Sequence, residues 1–382
     1  MSHRAPKPGN RLAADDVRIH AHAQKKPHPK HKHKHKPAPK PTTGSQPKQP
    51  LPEEDKDLSA STEILQLFAR AFSETLADPA LAQRLQEVKT HLYNRDYAGA
   101  FATAANLSAY VVRWSSSRAL CYRHVFLDLC DELRAVFDLH EYDGDGDGDG
   151  DGGAREVVCV GGGAGGEVVA AAAAVKTLLA QPSSGTGGGG DRAGCGRLHV
   201  TAVDVAGWGM QFAQLRHAIV GSGEHDAAAA GAAAAAAGYF ASDVPAGLFD
   251  AEFSQQDVLA ADLGTLLAGV RRTRLVTLLF TTNELYAQSR AATTTMLLGL
   301  AAHVRRGCLL LVLESAGSYS TVRVGDRLFD VVMLLEHTLL RASGDWELLV
   351  ADNARWFRLP GGLTYPLALE NMRYFVRLFR RL

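Results

Sequence analysis

A short apolar stretch, a glycine-rich turn and an alanine-rich stretch constrain the fold most. Residues 155–161, REVVCVG, have the length and β-branched content of a buried strand, and residues 167–181, EVVAAAAAVKTLLAQ, are typical of a helix. Four glycines in and after the turn remove Cβ atoms from it: Gly161, Gly162, Gly163 and Gly165. A strand that feeds a helix through a tight turn is the repeating unit of a parallel α/β sheet.

The rest of the C-terminal half keeps this alternation. Apolar strand patterns, separated by helical ones, recur in three places: residues 197–204, 276–286 and 307–315. Two further strand patterns, at 346–360 and 374–381, follow one another with only a loop between them. We interpret the last, which includes Arg377, Arg380 and Arg381, as an edge strand with a solvated basic end. We therefore predict an α/β fold, a doubly wound sheet closed by an antiparallel C-terminal hairpin at its edge.

The N-terminal part of the chain has a different character. Residues 1–50 contain twelve Lys/Arg and seven His against two Asp, so a chain of zero net charge combines a basic tail with an acidic body of formal charge −10. Proline and like charges leave too little apolar surface for folding, and we predict that residues 1–58 are disordered. A basic tail of this kind is expected to bind a polyanion such as RNA.

Two segments separate the tail from the sheet. Residues 59–142 show only helical spacing, which predicts a small all-helical region. Residues 143–153 are an Asp-Gly run, and 145–156 match the spacing of a calcium loop. Because Glu156 leads directly into the first strand, we interpret the run as an acidic linker before a sheet domain at 154–382.

The cysteines and the hydropathy narrow the cellular setting. Five cysteines without a C-x-x-C pair favour a reduced, intracellular compartment. No segment approaches the roughly 20 apolar residues of a membrane span, and the N-terminus has no signal-peptide pattern. We expect no membrane partner.

The glycine-rich turn predicts a nucleotide-type ligand. A helix N-terminus after glycines binds anionic or polar groups, and Asp204, at the end of the next strand, can accept hydrogen bonds from ribose hydroxyls. NAD and S-adenosylmethionine both bind in this way. Residues 159–165, CVGGGAG, are similar to the x-x-G-x-G-x-G of class I methyltransferases, with Cys159 where those enzymes usually have an acid.

Several segments together resemble one family, the fungal 25S ribosomal RNA uridine-N3 methyltransferases. They span roughly Leu58–Leu382 and are YVVRWSSSRALCY (110–122), VVCVGGGAGGE (157–167), FSQQDVL (253–259), LLFTTNELY (278–286), LESAGSYSTV (313–322), RWFRLP (355–360) and YPLALENMRYFVRLFRR (365–381). Departures are the Asp-Gly, Gly and Ala expansions, and Ser116 and Ala316 where the family often has proline.

The resemblance implies a Rossmann-like, seven-stranded class I methyltransferase that uses S-adenosylmethionine and modifies a uridine of large-subunit rRNA. It implies a nuclear and nucleolar protein that binds rRNA or a pre-ribosome, and we expect a monomer without metal. Asp257 then lies near the adenine. Asn283 and Glu284, at the tip of the fourth strand, lie beside the methyl donor.

Methylation at N3 requires removal of a proton, so the site needs a base. Glu284 and Glu314 are the candidates, of which we prefer Glu284, with Asn283 orienting the donor or the uracil edge. Either acid could instead cap a helix. Five further residues are candidates for holding RNA or the donor's carboxylate: Arg113, Trp114, Arg118, Tyr319 and Trp356. The arginines could instead form salt bridges, and the aromatic residues could be core.

Two other functions fit the residues. An NAD(P)-dependent oxidoreductase uses the same kind of glycine turn. A non-catalytic ribosome-assembly factor could keep the methyltransferase fold without its activity.

Overall fold

A computed structural model describes residues 53–139, 154–181, 196–221, 247–260, 273–317, 321–324 and 327–382. The basic tail before residue 53, the Asp-Gly run and Tyr319 lie outside these residues. So do nearly all of the insertion at 183–196 and all of the one at 227–238. The domain boundaries remain predictions.

The predicted all-helical region is helical throughout its described part. Its helices are α1 (Glu53–Ala71), α2 (Ser73–Ala77), α3 (Leu81–Tyr93), α4 (Tyr97–Ala100), α5 (Ala104–Tyr110), α6 (Ser116–Asp128) and α7 (Cys130–Phe137). A π-helical segment, Val111–Ser115, joins α5 to α6. The helix α1 begins at Glu53, inside the segment predicted as disordered tail.

The sheet confirms the predicted fold class. Its seven strands are β1 (Ala154–Val160), β2 (Arg197–Asp204), β3 (Phe249–Gln255), β4 (Thr273–Leu279), β5 (Leu309–Ser315), β8 (Trp346–Phe357) and β9 (Met372–Arg381), and a separate hairpin consists of β6 (Thr321–Val324) and β7 (Arg327–Asp330). The order is β3-β2-β1-β4-β5-β9-β8. Strands β1 to β5 are parallel, and β9 is antiparallel to both of its neighbours.

One detail of the C-terminal hairpin was predicted wrongly. The last strand, β9, is not at the edge but lies between β5 and β8. Residues 374–379 are all buried, which is typical of a strand covered on both faces. Arg377 within this run is also buried and forms a 2.6 Å ion pair with Glu336. It is therefore a core residue and not part of a solvated basic end.

Helices flank the sheet: α8 (Gly166–Leu179), α9 (Gly209–Val220), α10 (Thr282–Gln288), α11 (Arg290–His303) and α12 (Val331–Glu336). A second π-helical segment, His337–Ser343, follows α12. The strand predicted for 276–286 ends at Leu279 and gives way to α10, so Asn283 and Glu284 lie in the first turn of a helix. Phe280, which lies between β4 and α10, has a φ of 58°, a conformation that cannot continue a strand.

The alanine-rich helix α8 explains how the helical region at 59–139 packs against the sheet. Residues 166–175 are all buried, and a helix that is apolar all round is enclosed by other elements. It packs against α6 and α7, and its small side chains allow α6 to approach closely. Helices and sheet thus share one hydrophobic cluster, within a unit that runs from residue 51 to 382.

Candidate active site

The glycine turn after β1 passes close to two neighbouring strands. Gly161 has a φ of 76°, and a Cβ atom there would lie 2.5 Å from the Thr281 side chain. A Cβ atom on Gly163 would overlap the Trp208 ring. Both positions therefore require glycine, and the backbone rather than side chains forms this surface.

Asp204 lies at the carboxyl end of β2, directly beside this turn. Its carboxylate accepts hydrogen bonds from the backbone N–H of Gly163 at 3.2 Å and of Ala206 at 3.0 Å. Burial raises the pKa of Asp204, and these hydrogen bonds oppose the rise. The two amides hold the carboxylate in a fixed orientation. We name the glycine turn 161–165 together with Asp204 the cradle.

A cavity of about 550 Å³ lies at the carboxyl ends of the parallel strands, where open α/β sheets bind ligands. It brings together five of the predicted residues: Gly161, Asp204, Asp257, Glu284 and Arg118. Gly162, Gly163 and Gly165 belong to the adjoining turn. Asp257 is exposed, and one of its oxygens accepts the Leu259 N–H at 2.9 Å.

Glu284, in the first turn of the helix α10 that follows β4, lines the cavity. Its side chain is half-buried and has no hydrogen bond or ion pair within the described part of the chain. Burial raises its pKa to about 8, and the positive charge of Arg118 opposes this rise. A carboxylate with such a pKa changes protonation close to neutral pH.

Glu314, the other predicted base, is engaged elsewhere. It is buried at the end of β5 and accepts hydrogen bonds from the Thr282 hydroxyl (3.0 Å) and from the N–H groups of Asn283 (3.0 Å) and Ser315 (2.9 Å). It therefore caps the N-terminus of α10 and does not line the cavity. Asn283 does not line the cavity either, although it lies next to Glu284 in the same turn.

An aromatic and basic wall faces these acids. Arg118 donates to the Tyr110 hydroxyl, and its guanidinium lies over the rings of Tyr110 (5.6 Å) and Phe280 (5.4 Å). The Phe280 ring in turn stacks on Tyr122, with centroids 6.2 Å apart. Such contacts fix the guanidinium and leave its charge unneutralised.

The lining residues that were not predicted include three tyrosines and one acid: Tyr97, Tyr110, Tyr122 and Glu167. Three of them lie within the family-like segments at 110–122 and 157–167, so the signal was present, but apolar spacing alone assigns them to the core. Glu167 is buried in the first turn of α8, and burial raises its pKa to about 8. Tyr97 comes from α4, far away in the sequence.

Three predicted substrate residues lie away from the cavity. Arg113 forms an ion pair with Glu370, and Trp114 packs on Tyr110 with centroids 5.1 Å apart. Trp356 is 52% exposed near the end of β8. Tyr365, another aromatic residue of the family-like segments, donates to the Val112 carbonyl at 2.9 Å. The contacts of Arg113 and Tyr365 attach the 358–371 loop to the π-helical segment that precedes Arg118.

Two properties of the described residues bear on other functions. Among them, no group of three or more His, Cys, Asp or Glu side chains could hold a metal ion. None of their helices is long and apolar enough to cross a membrane.

A sheet in this strand order with β9 as its one antiparallel member, and a cradle at its carboxyl edge, define a class I S-adenosylmethionine-dependent methyltransferase. A family model described as SAM-dependent methyltransferase matches residues 68–380. The 25S rRNA (uridine(2843)-N(3))-methyltransferase of Saccharomyces cerevisiae is 31% identical over 343 residues, which cover 86% of this chain and 88% of that protein. The chain belongs to this family of SAM-dependent methyltransferases.

Solved methyltransferase structures are more distant. One from Clostridium acetobutylicum covers 68% of this chain and 90% of its own, at 10% identity and a TM-score of 0.34. The N-methyltransferase NodS of Bradyrhizobium japonicum, in complex with S-adenosylhomocysteine, covers 72% and 96%, at 11% identity and a TM-score of 0.33. TM-scores this low carry no argument about the site.

The family confirms the predicted cofactor, S-adenosylmethionine, and excludes an NAD(P)-dependent oxidoreductase. The residues present fit this ligand. The glycine turn of the cradle presents backbone, because Cβ atoms on its glycines would overlap neighbouring side chains, and Asp204 is held beside the turn by two amides. The cavity volume of about 550 Å³ lies within the range of small-molecule pockets.

Proposed function

We propose that this protein methylates N3 of a uridine in large-subunit ribosomal RNA, and that it does so in the nucleus and nucleolus. The curated relative is a 25S rRNA uridine-N3 methyltransferase. The observation in the structure that best supports the reaction is Glu284, a carboxylate that lines the cavity, has no hydrogen-bond or ion-pair partner among the described residues, and has a pKa raised to about 8. Uridine N3 carries a proton, and a base of that strength can take it.

The cradle and its neighbours bind the donor in this proposal. S-adenosylmethionine supplies a methyl group on a positively charged sulfur. Asp204 accepts hydrogen bonds from the ribose hydroxyls, and the turn at Gly161–Gly165 allows the close approach of the nucleoside. Asp257, at the exposed end of the cavity wall, contacts the adenine. Arg118, an arginine of the cavity wall, binds the carboxylate of the methionine part.

Glu284 acts as the general base. It accepts the N3 proton when the uracil is in place, and the uracil anion that forms is the nucleophile. Arg118 favours the ionised form of Glu284, and with a pKa of about 8 roughly half of this carboxylate is ionised, and so able to act as base, at pH 8. The backbone N–H of Asn283 donates a hydrogen bond to Glu314. We assign Asn283 a positioning role, because this bond holds the helical turn that carries Glu284.

The uracil must leave its stack to reach Glu284, because N3 lies on the pairing edge of the base. Aromatic side chains that line the cavity offer flat surfaces for it: Tyr97, Tyr110, Tyr122 and Phe280. The basic tail, with twelve Lys/Arg in residues 1–50, adds salt-sensitive affinity for phosphates.

The test is to map N3-methyluridine on large-subunit rRNA from cells with the protein, without it, and with Glu284→Gln. We expect one uridine to lose its modification in the last two strains, while the Glu284→Gln protein still binds S-adenosylmethionine by calorimetry. Intact methylation in the strain without the protein, together with stalled subunit maturation there, would instead identify a non-catalytic assembly factor.

A further inference from the structure

An exposed tryptophan near the end of β8 lies between two arginines. Trp356 is 52% exposed, and the guanidinium carbons of Arg358 and Arg373 lie 5.0 Å and 6.0 Å from its ring centroid. Both arginines are exposed, and neither forms an ion pair within the residues that the structure describes. We name these three residues the Trp356 patch.

Carboxylates close to the patch have other partners. Asp352 and Asp128 both bind Arg355, at 3.1 Å and 2.5 Å, and Glu370 binds Arg113. The two charges on the indole are therefore not cancelled locally. An exposed aromatic ring with cations beside it suits an anionic partner with flat groups.

The patch and the cavity share one edge of the sheet. Strands β5 and β8 run in the same direction, because each is antiparallel to β9. Trp356 pairs with Arg373 across β8 and β9, and Ser315 at the end of β5 pairs with Tyr374. Three strand spacings separate the end of β8 from that of β4, roughly 15 Å. Two residues of the 358–371 loop, Tyr365 and Glu370, contact Val112 and Arg113, in the segment that precedes Arg118 of the cavity wall.

We propose that the Trp356 patch is a docking surface for single-stranded RNA next to the modified uridine; this rests on the proposed function. A base of the strand stacks on Trp356, and Arg358 and Arg373 bind phosphates on either side. Stacking reads no sequence, so the patch contributes affinity and direction, while the cavity selects the base.

The experiment measures binding of a short uridine-containing single-stranded RNA, and of the same strand in a duplex, by fluorescence anisotropy with the full chain. We expect Trp356→Ala to weaken single-strand binding roughly 5- to 100-fold and Trp356→Phe to retain most of it. Arg358→Ala with Arg373→Ala should reduce the slope of log affinity against log salt by about 1.4.

Matched controls are Tyr93→Ala, an aromatic residue that is 88% exposed, and Arg70→Ala, an exposed arginine on α1. Neither should change RNA affinity, and no variant should change the affinity for S-adenosylmethionine or the unfolding temperature. Unchanged single-strand binding in Trp356→Ala, or an equal loss for the duplex, overturns the patch. A wild-type protein that binds RNA through Trp356 but methylates no uridine would overturn the proposed function and leave the patch intact.

Discussion

Asp204 and Glu284 line the same cavity, but their surroundings differ. The carboxylate of Asp204 accepts hydrogen bonds from the N–H groups of Gly163 and Ala206. That of Glu284 has no partner within the described residues, and burial raises its pKa to about 8. A carboxylate held by amides keeps its orientation, which suits binding. One without partners can take up a proton, which suits catalysis.

The backbone shows a second difference between these two walls. In the cradle, positive φ angles fall on glycines, which adopt them without steric cost. At the end of β4 the residue with a positive φ is Phe280 (58°), and this backbone conformation costs a non-glycine residue about 1–2 kcal/mol. The phenylalanine is explained by its ring, which stacks on Tyr122 and lies under Arg118. The cavity wall at the end of β4 therefore accepts backbone strain that positions an aromatic surface.

The largest expected effect tests whether Glu284 is the base. Glu284→Gln keeps the size of the side chain but cannot accept the N3 proton, so kcat should fall roughly 10²- to 10⁴-fold. The affinity for S-adenosylmethionine should change little, because the cradle is untouched. Single-turnover methylation of rRNA and calorimetric titration with the cofactor measure the two quantities.

Glu314→Gln is the matched variant, because Glu314 is also a carboxylate and caps the N-terminus of α10, the helix that carries Glu284. An amide places donors opposite the N–H and O–H groups that now bind Glu314, which should cost about 1–3 kcal/mol of unfolding free energy. The rate should fall far less than in Glu284→Gln. Equal losses in kcat with normal stability would make Glu314 the base.

Gly161→Ala tests the cradle and should weaken cofactor binding at least about tenfold. The new methyl group would lie 2.5 Å from Thr281 at the cavity wall. Gly307→Ala is the control, because Gly307 also has a positive φ (80°) but nothing lies within 4 Å of a Cβ atom there. Both variants should lose about 1–2 kcal/mol of stability from backbone strain, and Gly161→Ala more. If the two affect cofactor affinity alike, the close packing of the turn is irrelevant.

The pH dependence should run in opposite directions for stability and activity. The folded-state pKa of both Glu284 and Glu167 is raised from 4.5 to about 8, so between these values the native protein binds more protons than the unfolded chain. The free energy of unfolding should therefore fall as pH rises from about 4.5 to 8, by at most about 1.4 kcal/mol per pH unit for each carboxylate. Methylation should increase with pH through about 8, because the base must be ionised.

Glu284→Gln separates the two contributions. It should remove its own part of the stability slope and leave that of Glu167, as measured by urea unfolding at several pH values. A slope identical to that of the wild type would mean that Glu284 is ionised in the folded protein well below pH 8.

The sequence predicted what depends on local pattern and not what depends on packing. The turn at Gly161–Gly165 and the acid at the end of β2 follow from strand, glycine and helix signals in order. Helix α10 was taken as the end of a strand, because the seven residues of this helix are too few to show a helical period and the carboxylate that caps it, Glu314, comes from another strand. The position of β9 and the cavity tyrosines depend on long-range pairing that no local window contains.

The smallest predicted effect concerns Asp257, the exposed acid of the binding wall. Its carboxylate already accepts the Leu259 N–H and faces solvent, so a hydrogen bond to the cofactor there competes with water. Asp257→Ala should weaken cofactor binding by about 0.5–1 kcal/mol, or two- to fivefold, whereas Asp204→Ala should cost tenfold or more because Asp204 is largely buried and fixed by two amides. Calorimetry with S-adenosylhomocysteine measures both. Comparable losses would show that burial and amide contacts do not distinguish the two acids. The amide contacts of Asp204 would then not explain why it binds the cofactor while Glu284 acts as base.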